Sequence, residues 1–275
     1  MEEVVCIKRC NAFSAKLKEL RSTQRCEPIL LTNLKLHGWL LVLASLGGEE
    51  DAELCWNVSR GFKVLGEGVS KPPSNQKNCT GKSCFEEKGK MEEALADYWS
   101  MNVLGAWVAV RQAGGMGDAE VPWDVMAMGA VPKPNGTIRV IVDASMPRGN
   151  AVNEYITVPS EHFATVWTAA QCVREGGWQW GVGLKHACFN VPTSPMSWKH
   201  SGVRWKGACL VFLKLSFGLR NAPSCFHNFS GAIKRMALKR GVHTLVYMLD
   251  DFWGYAPAKE RALRDMWIFI EHSLS

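Results

Sequence analysis

A mixed α+β fold is predicted by three features of the 275-residue sequence. Short apolar runs are bounded by turn signals, longer segments carry helical spacing, and the two kinds do not alternate strictly along the chain. With 47% hydrophobic and 21% charged residues, the chain can bury a sizeable core as one medium domain or two small ones.

The elements follow in order. Ala12 to Leu20 and Ile29 to Leu46 read as short helices. From Gly66 to Lys90, Gly, Pro, Ser, Asn and Lys dominate, as in Gly68-Val69-Ser70-Lys71-Pro72-Pro73-Ser74-Asn75, and no apolar period survives, so this stretch reads as a linker or long surface loop. Met91 to Arg111 is spaced as a helix with Leu95, Tyr98, Trp99 and Val103 on one stripe. Gly114-Gly115-Met116-Gly117 then separates a largely helical N-terminal extension, residues 1–120, from a second region, 121–275. In Met126 to Asp143 two apolar runs flank Pro132-Lys133-Pro134-Asn135-Gly136, where Asn-Gly predicts a β-hairpin. Trp178 to Leu184 and Ala208 to Leu215 are further strands, and Pro223 to Arg240 is a helix with Phe226, Phe229, Ile233 and Met236 on its buried face. Thr244 to Leu249 is a strand that ends in Asp250-Asp251 and resumes as Phe252-Trp253-Gly254-Tyr255. That pattern is strand, tight acidic turn, strand. Behind Pro257, Leu263, Met266, Trp267, Ile270 and Leu274 predict a final helix, with Trp267 in the core.

The net charge of +6 is uneven: residues 1–120 hold 15 basic and 16 acidic side chains, residues 121–275 hold 17 and 10. A polyanionic partner is therefore expected to meet the second region, through clusters such as Lys199, His200, Arg204 and Lys206 or Lys234, Arg235, Lys239 and Arg240. The longest apolar run, Gly38 to Leu46, is about half of the roughly 20 residues a bilayer span needs, so no membrane partner is expected. The acidic start, Met1-Glu2-Glu3, is unlike a secretory signal, and an intracellular, cytoplasmic or nuclear, location is expected. The ten cysteines are scattered. Neither Cys6, Cys10, Cys26 and His37 nor Cys79 and Cys84 has the close pairing of a zinc site, and reduced, buried thiols are the expectation.

An acidic pair at the end of a buried strand is costly unless it is solvated in a turn or neutralised by a cation. By itself Asp250-Asp251 is an ordinary hairpin turn. Its company changes the balance: Lys133 and Arg139 on the upstream hairpin, the basic stretch at Lys199 to Lys206, and Gly218-Leu219-Arg220-Asn221-Ala222-Pro223 before a helix are parts suited to phosphate and metal.

Four blocks in order over about residues 126–256 resemble reverse transcriptases of retroelements, of gypsy-like or tyrosine-recombinase type. Tyr247-Met248-Leu249-Asp250-Asp251-Phe252 is similar to the Tyr-x-Asp-Asp-type signature. Leu215-Ser216-Phe217-Gly218-Leu219-Arg220-Asn221-Ala222-Pro223-Ser224-Cys225-Phe226 is similar to the Phe-Gly-Leu-x-Asn-Ala-Pro block that packs under incoming nucleotide and template. Val131 to Asp143 resembles the fingers hairpin whose Lys and Arg hold the triphosphate, and Asn150-Ala151-Val152-Asn153 resembles the Asn-containing segment after it. The resemblance implies fingers and a palm, an antiparallel sheet backed by helices, over 121–275, with no thumb before Ser275. It also implies template-directed nucleotidyl transfer by two metal ions, Mg²⁺ or Mn²⁺, with an RNA or DNA template-primer and deoxynucleoside triphosphates as partners. On that footing Asp250 and Asp251 are catalytic and metal-binding, and Lys133, Arg139, Cys188, Phe217 and Gly218 contact the nucleotide.

One family position is changed. In Trp180-Gly181-Val182-Gly183-Leu184-Lys185-His186-Ala187-Cys188-Phe189-Asn190-Val191-Pro192, Gly183 stands where the family has a metal-binding Asp, and Cys188 replaces the aromatic residue that blocks the ribose 2′-hydroxyl. Glycine offers no ligand, so polymerase activity is expected to be very low or absent, although His186 is another possible ligand. Two explanations compete: a fold repurposed for nucleic-acid binding, or a decaying or truncated element copy. The second is simpler, since Asp and Gly codons differ by one base.

Overall fold

In the computed structural model, residues 36–46, 48–66, 68–74, 80–158 and 162–273 are described. The predicted helix Ala12 to Leu20 and the cysteines Cys6, Cys10, Cys26 and Cys79 lie outside them. The elements are α1 (Leu36–Leu46), α2 (Glu49–Arg60), α3 (Lys82–Glu86), α4 (Lys88–Ser100), β1 (Leu104–Ala106), α5 (Trp107–Val110), β2 (Ala127–Pro132), β3 (Ile138–Asp143), α6 (Val166–Ala170), β4 (Trp178–Gly183), β5 (Gly202–Trp205), β6 (Ala208–Phe212), α7 (Ala222–Lys239), β7 (Leu245–Met248), β8 (Asp251–Ala256) and α8 (Lys259–Ser273). The mixed class predicted from sequence is the one observed, with small antiparallel sheets.

The described residues divide into two compact units that cross the sequence order. One contains Arg60–Thr157 and Cys188–Ala222; the other contains Leu36–Ser59, Val158–Ala187 and the chain from Pro223.

In the first unit, β2 pairs antiparallel with β3, Val131 opposite Arg139 and Pro132 opposite Ile138. The strand β3 alternates strictly, with Ile138, Val140 and Val142 buried and Arg139, Ile141 and Asp143 exposed. A three-stranded sheet in the order β1-β6-β5 buries Trp107, Val110, Trp198, Val211 and Leu213 beside it. The helix expected over Met91 to Arg111 stops at Ser100 because Asn102 takes φ 52°, and the N–H groups of Asn102 and Val103 donate to the carbonyls of Trp99 and Tyr98. This is a helix cap in which Asn supplies the left-handed residue. Within 66–90, Lys71 and Ser74 are buried and Lys82–Glu86 is helical. Lys71 Nζ lies 2.6 Å from Asp124 Oδ1, and Asp124 Oδ2 lies 2.7 Å from His200 Nδ1, all three side chains being buried.

In the second unit, β4, β8 and β7 form a sheet in that order. The core behind it comprises Trp180, Ile233, Ala237, Val242, Leu245, Phe252, Ala256, Ala262 and Phe269, supplied by the sheet, α7 and α8. Gly241, with φ 97°, ends α7 in the same way that Asn102 ends α4, its N–H donating to Leu238 and that of Val242 to Ala237. The N-terminal helices join this unit: Arg235 pairs with Asp51 at 2.5 Å and with Glu50 at 3.2 Å, and the Trp39 ring meets Phe229 edge-on.

The final helix is present but its buried face differs from the expected one. Leu263 and Trp267 are exposed, and Ala262, Asp265 and Phe269 face inward. Two apolar stripes lie on this helix at helical spacing, and the spacing alone selects neither. Asp265 obscures the buried one: its carboxylate accepts from the His243 N–H at 2.8 Å and from Arg261 Nε at 2.8 Å, which lets a charged residue sit inside.

Trp180 lies across Gly254, its opposite residue in the β4–β8 pair, so closely that a Cβ at 254 would stand 2.1 Å from the indole. Gly254→Ala is expected to overpack this core and cost about 3 kcal/mol, measured as a lower denaturation midpoint in urea.

Candidate functional site

The acidic turn is built by the second unit. Two residues, Leu249 and Asp250, connect β7 to β8, and Met248 pairs with Asp251. So short a hairpin loop requires a positive φ at its first residue, and Leu249 adopts φ 55° although leucine disfavours it. The turn is held from behind by two hydrogen bonds. The buried Ser230 hydroxyl of α7 donates to the Leu249 carbonyl at 2.6 Å, and the Leu184 N–H donates to the Asp250 carbonyl at 2.8 Å. Phe252 is buried, with Tyr247 stacked on it at 5.8 Å and the Phe269 ring tilted against it at 4.8 Å. The chain direction is thus fixed where Asp250 and Asp251 reach the surface. Nothing in the composition around Ser230 singled it out, since a serine in an amphipathic helix looks like any small polar residue.

Gly183, the last residue of β4, is the cross-strand partner of Asp251. Both are exposed, and a Cβ at 183 would stand 3.2 Å from Asp251 Oδ1. A carboxylate at 183 would therefore meet that of Asp251, a juxtaposition that repels unless a cation bridges it. As the chain stands, the turn offers two hard oxygen donors, the carboxylates of Asp250 and Asp251, which suits magnesium or manganese chemistry only in part. Among the described residues no group of three His, Cys, Asp or Glu is placed to hold a metal ion. His186 follows with φ 66° and is exposed.

The remaining residues singled out in the sequence lie in the first unit. Lys133 and Arg139 are exposed on the β2–β3 hairpin, whose tip is closed by the Lys133 N–H donating to Thr137 and by Asn135 Oδ1 accepting from the Thr137 N–H and hydroxyl. Cys188 is buried, its thiol 3.9 Å from the Ala222 carbonyl. Beside it, the Phe189 ring meets Tyr98 edge-on at 4.8 Å and Phe217 edge-on at 5.0 Å. Phe217 is 44% exposed. Gly218 has φ 102°, and a Cβ there would lie 2.0 Å from the Val142 carbonyl oxygen, so only glycine fits. The structure therefore connects Cys188, Phe217 and Gly218 through Phe189 and Val142, and sets Arg139 near Tyr98; Lys133 stands out on the hairpin tip. Burial pushes the Tyr98 phenol up to about 12 despite the opposing pull of the Arg139 guanidinium. Burial also lowers the Lys214 ammonium, between β6 and the Phe217 turn, to about 8.

Comparisons with known proteins give the fold. A foamy viral protease–reverse transcriptase in complex with double-stranded DNA superposes with a TM-score of 0.61 at 15% identity, over 91% of this chain and 43% of that one. The native prototype foamy virus protease–reverse transcriptase gives 0.60 at 16% identity, over 90% and 33%. The foamy viral enzyme in complex with an RNA/DNA hybrid gives 0.58 at 15%, over 90% and 33%. The chain thus has a fold similar to part of a reverse transcriptase, and spans less than half the length of these chains. No protein-family model matches the sequence, and no curated protein does. No helix among the described residues is long and apolar enough to cross a membrane.

Lys214 yields a pH prediction. Its pKa is lower folded than unfolded, so the unfolded chain binds more protons between about pH 8 and its ordinary 10.5, and its contribution to stability rises with pH across that window. Lys214→Met is expected to flatten this rise, checked by urea titrations from pH 7 to 10.

Proposed function

We propose that the chain is a reverse-transcriptase domain of a retroelement, of gypsy-like or tyrosine-recombinase type, impaired in synthesis by Gly183. In this reading residues 121–275 supply fingers and palm, and residues 1–120 are an extension. The observation that carries the proposal is the register that sets Gly183 opposite Asp251 at the end of an acidic hairpin, on a fold similar to reverse transcriptases. Asp250 and Asp251 would hold Mg²⁺ or Mn²⁺, which when bound supplies charge neutralisation for phosphoryl transfer. Lys133 and Arg139 serve the triphosphate by charge-assisted hydrogen bonds. Cys188, Phe217 and Gly218 form the surface for sugar and base, and an RNA or DNA template-primer is the partner.

A second reading, a nucleic-acid-binding module without synthesis on the same fold, is favoured by the same glycine. The two part in primer extension on an RNA template with Mg²⁺ or Mn²⁺. Gly183→Asp is expected to raise activity at least about a hundredfold over the original chain, because even outer-shell changes at metal sites cost about 10–100-fold. Asp250→Asn abolishes it in that background. The same variant is expected to melt lower than the original chain in EDTA, where its carboxylate repels Asp251, and to regain that loss with Mg²⁺. If Gly183→Asp stays silent and insensitive to Mg²⁺, the polymerase reading fails, and binding to a primer–template decides whether the binding module stands.

Either reading draws on the excess of basic residues in 121–275. Affinity for a primer–template, followed by fluorescence anisotropy, is expected to fall linearly with salt on logarithmic axes. Binding that ignores salt would remove nucleic acid as the partner.

A further inference from the structure

We propose that Asn153 is the positioning residue of the Phe217–Arg220 turn, holding it through both ends of its carboxamide. The inference rests on the proposed role of that turn in contacting nucleotide.

Asn153 lies in a single 3₁₀ turn, Val152–Tyr155, and is itself anchored by its N–H to the Ala144 carbonyl at 3.0 Å. Its Nδ2 donates to the Gly218 carbonyl at 2.8 Å and to the Ser145 hydroxyl at 2.9 Å, and its Oδ1 accepts from the Arg220 N–H at 2.8 Å. A carbonyl partner on one side and an N–H partner on the other fix which end of the amide is oxygen and which is nitrogen. The Gly218 carbonyl and Arg220 N–H flank Leu219, so the carboxamide spans the turn as a peptide group of a neighbouring strand would.

The rest of the turn explains why this contact matters. Gly218 is pressed against the Val142 carbonyl on one side, and Leu219 is buried. Phe217 and Arg220 are exposed. Packing therefore fixes the middle of the turn, and the Asn153 amide fixes the peptide groups on either side of it. Single hydrogen bonds near a surface contribute little each, but three on one side chain share one entropic cost. Aspartate at 153 has the same shape and keeps the acceptor for Arg220, yet it has no donor and sets a carboxylate oxygen against the Gly218 carbonyl. Glutamine is longer by a methylene, and alanine removes all three bonds.

Two measurements test this. Asn153→Ala is expected to speed hydrogen exchange at the Arg220 amide about tenfold while the amides of Trp180 and Phe252 in the β4–β8 pair keep their rates. An unchanged Arg220 rate overturns the proposal, as does a general acceleration. In the Gly183→Asp background, Asn153→Asp is expected to raise the KM for deoxynucleoside triphosphate about tenfold with kcat within about twofold, the pattern of lost binding rather than lost chemistry. An unchanged KM, or kcat falling as far as KM rises, overturns the positioning role. If Gly183→Asp makes no product, the polymerase reading fails on its own, and exchange at Arg220 alone decides whether Asn153 holds the turn.

Discussion

The antiparallel pairing of β4 with β8 is the constraint on which the second unit depends. It is fixed at one end by Trp180 lying over Gly254 and at the other by Gly183 opposite Asp251. In a sheet the side-chain period is two, so a slip of β8 by one residue would turn Phe252 away from the core and carry Asp251 to the opposite face. The same close approach that demands glycine at 254 therefore determines which residue stands beside the acidic turn. Ser230 and Leu184 complete the arrangement by holding the two carbonyls of the turn, with Asp251 exposed and Asp250 half-buried.

The first unit is organised by a buried ion pair. Taking Lys71 and Asp124 out of water is expensive, and their mutual contact, with His200 as a further partner of the carboxylate, is what makes it tolerable. Replacing only one of them would strand the other. Segments far apart in sequence, around residues 71, 124 and 200, are thereby held in one arrangement.

Much of this was legible in the sequence because it is local. The Asn135-Gly136 hairpin, the helix after Pro223 and the acidic hairpin at Asp250 follow from turn chemistry and apolar period, and each is observed where expected. What was illegible depends on partners distant along the chain. Asn102 ends α4 earlier than the apolar stripe implies, because a left-handed asparagine is a stop that periodicity does not register. Lys71 sits in a stretch whose composition reads as a linker, yet it is buried because of Asp124, 53 residues on. Trp267 looked like core because α8 carries two apolar stripes, and the choice between them falls to a buried aspartate that spacing arguments count as surface. At the candidate site, Asp250 and Asp251 are marked by their place at the end of an apolar strand and by the basic residues in their company, and Gly183 by resemblance alone, whereas Ser230 carries no signal. Asn153 lay within a recognised segment, and its three partners became visible only in three dimensions.

Gly183 occupies the exposed end of a strand, bonded through its backbone and touching no part of the core. The carboxylate that the resemblance places there would add nothing to burial, so exchanging it for hydrogen leaves the cooperative unit intact. Chemistry and foldedness are thus separable at this residue. Cellular quality control senses exposed apolar surface and unfolded population, not missing ligands. A chain altered here would therefore persist in the folded population as its intact counterpart does, and abundance alone would not reveal the change.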